Sequence, residues 1–255
     1  MGLVDSHIHT VFLGWETLFD LAMNEYEGVV TVAYTPFVPR SHDSLADHFE
    51  HLLLEKKRLR NLGLRCAVAV GVHPRCVNPR FKKEFARVVE EYLEKADALG
   101  EVGLENTEEI EVEILKEQLR VAARLDRPAI IHTPRAGKAR ALKTLLKILD
   151  ETGVPEERVV VDHLLPTPEI LGLVEKREFM IGVTIQSGKA SVEDLFFIVE
   201  EKPDLVERIV VNSDAGLDVS NHLAVLDAAR ELMDEGYVSE AYRMTSLNIK
   251  RLLGW

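Results

Sequence analysis

The sequence predicts a single (β/α)₈ barrel over residues 1–255, and three observations predict it. Short apolar, β-branched runs recur along the chain, helical segments separate them, and histidines gather where the runs end. Strands that read as unbroken apolar runs are those buried on both faces, as in a parallel sheet. Eight such alternations in 255 residues have the size and order of a closed parallel barrel.

The first run, Leu3-Val4, leads into Asp5-Ser6-His7-Ile8-His9. The next three cover residues 28–33 (GVVTVA), 64–72 (LRCAVAVGV) and 98–104 (ALGEVGL). The second half supplies residues 129–132, 159–163, 179–183 and 209–212. Between strands two and three, residues 43–60 place Leu45, Phe49, Leu52, Leu53 and Leu59 on one helical stripe, with Asp43 positioned to cap it. Residues 108–125 repeat the pattern through Ile110, Ile114, Leu115, Leu119, Ala122 and Leu125, with acidic residues in the first turn, where the helix dipole favours them. Ser191 opens a further helix carrying Val192, Leu195, Phe196 and Val199. The rival topology is a doubly wound open sheet, but no G-x-G-x-x-G turn follows the first strand. No linker, low-complexity stretch or repeat interrupts the rhythm, so one domain is expected.

Composition limits the function classes. Hydrophobic residues make up 46 % of the chain, enough for a sizeable core. No segment approaches the ~20 consecutive apolar residues of a membrane helix. The opening Met-Gly-Leu-Val-Asp-Ser-His lacks the regions of a signal peptide, and Gly2 runs straight into a strand rather than a myristoylation signal. A cytoplasmic location and no membrane partner are therefore expected. Cys66 and Cys76 form no C-x-x-C pair and read as a core thiol and a loop thiol. The net charge of −12 argues against a broad surface for coating nucleic acid, while leaving room for a local cationic rim.

In a barrel of this kind, chemistry sits at the carboxyl ends of the strands. Asp5, His7 and His9 end strand one, His73 ends strand three, Glu101 lies in strand four, His132 and His163 end strands five and six, and Asp214 follows strand eight. Five of the 9 histidines thus share one rim. Alternate strand residues point the same way, so His7 and His9 both face the barrel axis. An H-x-H pair alone is a weak sign of metal, and any one of these histidines can instead be a core residue bonded to a carbonyl. As a set, four imidazoles and two carboxylates suit one or two divalent ions, with one carboxylate bridging. The mixed donors admit zinc, manganese, iron, nickel or magnesium.

These residues resemble the TatD-like branch of the amidohydrolase superfamily. The resemblance rests on Asp5-Ser6-His7-Ile8-His9, Gly71-Val72-His73-Pro74, residues 98–104, Ile131-His132-Thr133, Asp162-His163, Ser213-Asp214 and the terminal Asn248-Ile249-Lys250-Arg251-Leu252-Leu253, in family order along the whole chain. It implies that His7 and His9 bind a first metal, that Glu101 bridges to a second held by His132 and His163, and that Asp214 binds the first metal and shuttles the proton of the attacking water. It also implies deoxyribonuclease-like activity. Two segments depart from the family: Asn212-Ser213-Asp214-Ala215-Gly216 replaces Glu-Thr-Asp and a proline-containing loop, and Leu164-Leu165-Pro166 follows His163 in place of Cys-Phe and a glycine-rich loop. Both leave the ligands intact and alter the pocket walls.

For substrate binding, His73, Arg75 and Arg135 are the candidates, with Lys138 and Arg140 near His132 and Arg40 in the loop after strand two. Cations beside a two-metal centre suit a phosphate, yet each reads equally as a solvated surface charge. Phe37, Phe12 and Trp15 near the rim can stack on a base or equally pack in the core layer between barrel and helices, the second reading being favoured for Phe12. His42, His48, His51 and His222 lack partner ligands and read as surface residues. The terminal residues 248–251 read as a helix-capping and packing element.

The expected activity is hydrolysis of a phosphodiester, at a nucleic-acid end or in a small phosphoester, by a metal-activated hydroxide. The alternatives are hydrolysis of a C–N or C–O bond in a small molecule, and a barrel that binds metal without catalysis. No obligate protein partner is readable.

Overall fold

The structure, a computed structural model, describes residues 2–79, 82–217 and 219–255. Its strands are β1 (Leu3–Ile8), β2 (Tyr26–Val32), β3 (Arg65–Val70), β4 (Ala98–Gly103), β5 (Ala129–His132), β6 (Val159–Val161), β7 (Met180–Thr184) and β8 (Ile209–Asn212). They form one eight-stranded sheet in sequence order, each paired in parallel with the next. The sheet curls until β8 meets β1, where Ser6 Oγ donates to Val211 O (3.0 Å), Asp214 N to His7 O (3.0 Å) and His9 N to Ala215 O (2.8 Å). This is the expected (β/α)₈ barrel.

Helices α1 (Trp15–Met23), α2 (His42–Arg60), α3 (Lys82–Leu93), α4 (Glu109–Arg124), α5 (Lys138–Thr152), α6 (Pro168–Val174), α7 (Val192–Glu201) and α8 (Ala224–Asp234) follow strands β1 to β8 in turn. The short helices α9 (Val238–Tyr242) and α10 (Asn248–Leu253) end the chain. The cap of α2 corrects the sequence expectation. Ser41 Oγ accepts from Ser44 N (3.1 Å) and Ser44 Oγ from Ser41 N (3.2 Å), a reciprocal box that leaves Asp43 inside the first turn. Ser191 opens α7 as expected, its N–H donating to Asp194 Oδ2 (2.9 Å). Among the described residues, no helix is long and apolar enough to cross a membrane.

Two apolar layers result. The larger lies between barrel and helices. The smaller fills the barrel with Val4, Val30, Val32, Ala67, Ala69, Ala98, Ile130, Val160, Met180 and Val210, and Ile249 and Leu252 of α10 close it from below. Buried Asn248 holds this plug, its Nδ2 donating to Val206 O (2.8 Å) and Ile209 O (2.7 Å). Asn248→Ala strands two buried carbonyls, and such groups cost ~1–3 kcal/mol each. We expect a loss of about 2 kcal/mol and a Tm lower by roughly 4–8 °C, read by thermal unfolding; an unchanged Tm would show that the plug does not depend on this residue.

With the floor sealed by hydrocarbon, the polar side chains inside the barrel collect at the opposite end.

Candidate metal centre

Simple alternation along the strands would not deliver these side chains. Val4 packs inside the barrel, so His7, three residues on, would point outward. The ladder to β2 slips instead: after an opposite slip between Leu3 and Val4, Asp5 pairs with Val29 and Ile8 with Thr31, so β1 carries one residue more than its partner over that stretch. That bulge turns His7 inward and sends Ile8 into the outer layer. Strand β4 repeats the device, with Leu99 opposite Ala129 and Val102 opposite Ile131. Ala98 therefore faces in, Val102 faces out, and Glu101 between them reaches the axis.

His163 and Asp214 arrive by another route. Each follows the end of its strand in the left-handed region, at φ 60° and 49°. That conformation costs a residue other than glycine ~1–2 kcal/mol. Local bonds hold it, with His163 N donating to Asp162 Oδ1 (2.8 Å) and Asp214 N to His7 O.

All six expected ligands meet. Glu101 lies between two imidazole pairs and offers one oxygen to each. Oε2 is 3.4 Å from His7 Nε2 and 3.7 Å from His9 Nε2, while Oε1 is 2.9 Å from His132 Nδ1 and 3.1 Å from His163 Nε2. Asp214 Oδ1 joins the first pair, 3.2 Å from His9 Nε2 and 3.5 Å from His7 Nε2. Each of these residues is at most 8 % exposed. His7 with His9 and Glu101, and His7 with His163 and Asp214, bring their donor atoms within 4.8 Å of one another.

The donor chemistry fits a cation. His7 Nδ1 is engaged by Asp162 Oδ2 (2.6 Å), so in the neutral ring Nε2 presents a lone pair. That lone pair would face the Glu101 and Asp214 carboxylates at 3.4 and 3.5 Å, acceptor against acceptor, and either a proton on Nε2 or a bound cation relieves it. Burial disfavours charge on Glu101 and Asp214, yet the imidazoles around them outweigh it and hold both carboxyls well below their ordinary range. Burial likewise opposes charge on His7, but Glu101 and Asp162 carry its pKa well above the usual value. His163 goes the other way: burial lowers it to about 4 despite the nearby carboxylates.

Four supporting residues have no role in the sequence reading, although Asp162 stands in one of its motifs. Asp162, fully buried, bonds His7 Nδ1, His163 N and Asn212 Nδ2. Burial works against its charge, but His163 and His7 prevail and its pKa falls to about 2. Thr184 Oγ1 sits 2.7 Å from His163 Nδ1. Glu105, in the loop after β4, engages His132 Nε2 (2.8 Å) and the Arg75 guanidinium (2.7 Å). Lys189, in the loop after β7, places its ammonium on Asp214 Oδ2. Such outer partners fix ring orientation and ligand basicity.

Room for Asp162 is made by Gly182 on β7, where an added Cβ would lie 2.0 Å from Asp162 Oδ1. Gly182→Ala should therefore displace the carboxylate and weaken metal binding at least about tenfold, the range seen for outer-partner changes. Titration calorimetry with Mn²⁺ checks this; unchanged affinity would mean that Asp162 does not orient His7.

The substrate candidates divide. His73 Nδ1 accepts from Arg75 N (3.1 Å), so Nε2 carries the proton and points toward Glu101 Oε1 at 3.8 Å. Burial pushes the His73 pKa well below normal, keeping the ring neutral and Nε2–H a donor. Although His73 lies in ligating range of Glu101 and His132, this tautomer presents a proton there rather than a lone pair. Arg75 and Arg135 line the same cavity of about 210 Å³ as His9, His73, Glu101, His132, His163 and Asp214. Lys138 lies behind that wall, its ammonium on Thr133 Oγ1 at 3.0 Å. Arg40 and Arg140 are exposed outside the cavity.

Three expectations change. Phe12 is 39 % exposed rather than core, because the turn that follows His9 carries it over the rim. Trp15 and Phe37 are exposed but do not line the cavity. His42, His48 and His222 are half-buried, not surface residues; His222 Nε2 bonds Asp20 at 2.7 Å. Burial lowers the pKa of His48 to about 4.

Comparison with known proteins finds relatives along almost the whole barrel. The sequence profile of the family described as TatD related DNase matches residues 4–251. An uncharacterized metal-dependent hydrolase of Methanocaldococcus jannaschii is 33 % identical over 218 residues, 84 % of each chain. The crystal structure of a TatD-like protein of Archaeoglobus fulgidus superposes with a TM-score of 0.81 at 34 % identity, covering 99 % of this chain and 100 % of that one. The phosphotriesterase homology protein of Escherichia coli shares the fold with a TM-score of 0.72 at 15 % identity, covering 99 % and 98 %.

Proposed function

Because the chain belongs to the TatD-related DNase family and is a metal-dependent hydrolase, we propose that it cleaves phosphodiester bonds. In this reading His7, His9, Glu101 and Asp214 hold one divalent ion, and Glu101, His132 and His163 hold a second. The observation that carries it is the position of Glu101, one oxygen toward each imidazole pair, beneath a rim bearing Arg75, Arg135 and Lys189. When bound, two such ions acidify a water and neutralise charge that builds on phosphoryl oxygens.

The chain's own groups supply the rest. Asp214 stays ionised and accepts the proton of the attacking water. Arg75 and Arg135 meet the non-bridging oxygens of the phosphoryl group, in the charge-assisted geometry guanidinium favours. His73 donates its Nε2–H to an oxygen above Glu101. A cavity of about 210 Å³ admits a phosphoryl group and part of a sugar, not a duplex. The net charge of −12 repels long nucleic acid, so the substrate is a short strand, a strand end or a small phosphodiester.

The test is to strip the protein of metal and assay it with and without Mg²⁺, Mn²⁺ or Zn²⁺ on single-stranded DNA and on bis-p-nitrophenyl phosphate. Metal-dependent cleavage of both supports the reading. Cleavage of the small ester alone narrows it to a small-molecule phosphodiesterase. Cleavage of neither by metal-loaded protein overturns it and points to a C–N or C–O bond.

A further inference from the structure

Positive charge gathers at the mouth between the loops that follow β5 and β7. Lys189 lines the cavity, its side chain is 9 % exposed, and its ammonium rests on Asp214 Oδ2. Its loop is not a loose surface segment. Gln186 N donates to Ala190 O (3.1 Å), Lys189 N to Gln186 O (2.9 Å) and Ala190 N to Thr184 O (3.1 Å), folding the loop back on the end of β7. Gly188, at φ 76°, makes the turn possible.

Beside it, Arg135 Nη2 donates to Gln186 Oε1 at 3.3 Å. Gln186 is 7 % exposed and lines the adjoining cavity together with Lys189, and its Nε2 is buried with no hydrogen-bond partner among the described residues. Turning the amide over would set its nitrogen against the guanidinium, donor against donor, so Nε2 remains the group seeking an acceptor. Leaving a buried donor unpaired is costly, and an arriving anion removes that cost. Lys138 stands behind Thr133, close enough for Lys189 to help burial lower its pKa to about 8. Asp214 is the carboxylate that Lys189 grips, and the proposed function commits Asp214 to a divalent ion.

We propose that Lys189, Arg135 and the Gln186 amide form an oxyanion subsite for the substrate's phosphate, and that Lys189 is held in reserve on Asp214 until metal binds there. The inference rests on the phosphodiester reading for its choice of phosphate. It also makes Lys189 a competitor of the metal in the free protein, because ammonium and ion share one carboxylate. Metal loading then frees Lys189 to turn toward the anion, and the two ligands favour each other through one side chain.

The test uses titration calorimetry on Lys189→Met, Lys189→Arg and Gln186→Leu proteins, with Mn²⁺ alone and then inorganic phosphate on Mn²⁺-loaded protein. Lys189→Met should bind Mn²⁺ several-fold more tightly and phosphate at least about tenfold more weakly; Lys189→Arg should restore most of the phosphate affinity. Gln186→Leu should weaken phosphate several-fold and leave Mn²⁺ unchanged. A Lys189→Met protein that loses Mn²⁺ affinity would make Lys189 a positioning residue for Asp214 and overturn the subsite. Equal phosphate affinity in wild type and Lys189→Met would overturn the subsite alone, since the wild type would still take phosphate. A metal-loaded wild type that binds no phosphate would overturn the subsite and the phosphodiester reading together.

Discussion

Asp214→Asn should lower kcat on bis-p-nitrophenyl phosphate by at least about 10³-fold, within the ~10²–10⁴ range of a positioned proton acceptor, while the far-UV circular dichroism stays that of the native barrel. The carboxylate reaches the mouth from a left-handed residue whose N–H is tied to His7 O, and its two oxygens have separate tasks. Oδ1 faces His9 and His7, and Oδ2 faces Lys189. Asparagine keeps the volume, the backbone bond and one oxygen, but removes the charge that takes up a proton. Activity within about tenfold of wild type would remove Asp214 from that role.

Glu101→Gln should empty the whole centre rather than half of it. Its two oxygens serve opposite imidazole pairs, so neutralising one side chain withdraws an anionic donor from both. Loss of a single orienting partner already costs ~10–100-fold in affinity; removing the shared carboxylate should exceed that for each ion. Metal content after dialysis, measured by plasma mass spectrometry, should fall well below that of a His132→Gln variant, which touches one pair. Equal losses in the two variants would mean that Glu101 does not bridge.

Both predictions use residues that the sequence made visible, and the reason is geometric. A barrel displays its chemistry where strands end, so His7, His9, His132 and His163 could be ranked by position alone. The fold was legible for the same reason: each apolar run is short, β-branched and separated from the next by a helical stripe. The orienting groups were not legible. Asp162 sits beside a histidine in the chain but serves a different one, His7, across the barrel. Glu105 and Lys189 lie in loops, where neither period of 2 nor of 3.6 reports direction. Phe12 misled because its apolarity suggested burial, whereas the turn after His9 fixes its exposure. Gly182 carried a usable signal, a glycine inside a buried strand, which often marks a close approach.

The two bulges separate the lower part of each strand from its upper part. A surplus residue switches which positions of a strand face inward, so β1 and β4 each have a lower half numbered for the hydrocarbon interior and an upper half numbered for the mouth. The chain can therefore repack its floor and retool its mouth as separate alphabets, with the surplus residue as the spacer between them. Single-residue deletions at 6 or 100 should erase that spacer, drawing His7 or Glu101 toward the floor by about one strand residue, ~3.3 Å. Such proteins should retain barrel circular dichroism and lose Mn²⁺ binding; retained Mn²⁺ affinity would show that the spacing is not what sets the site.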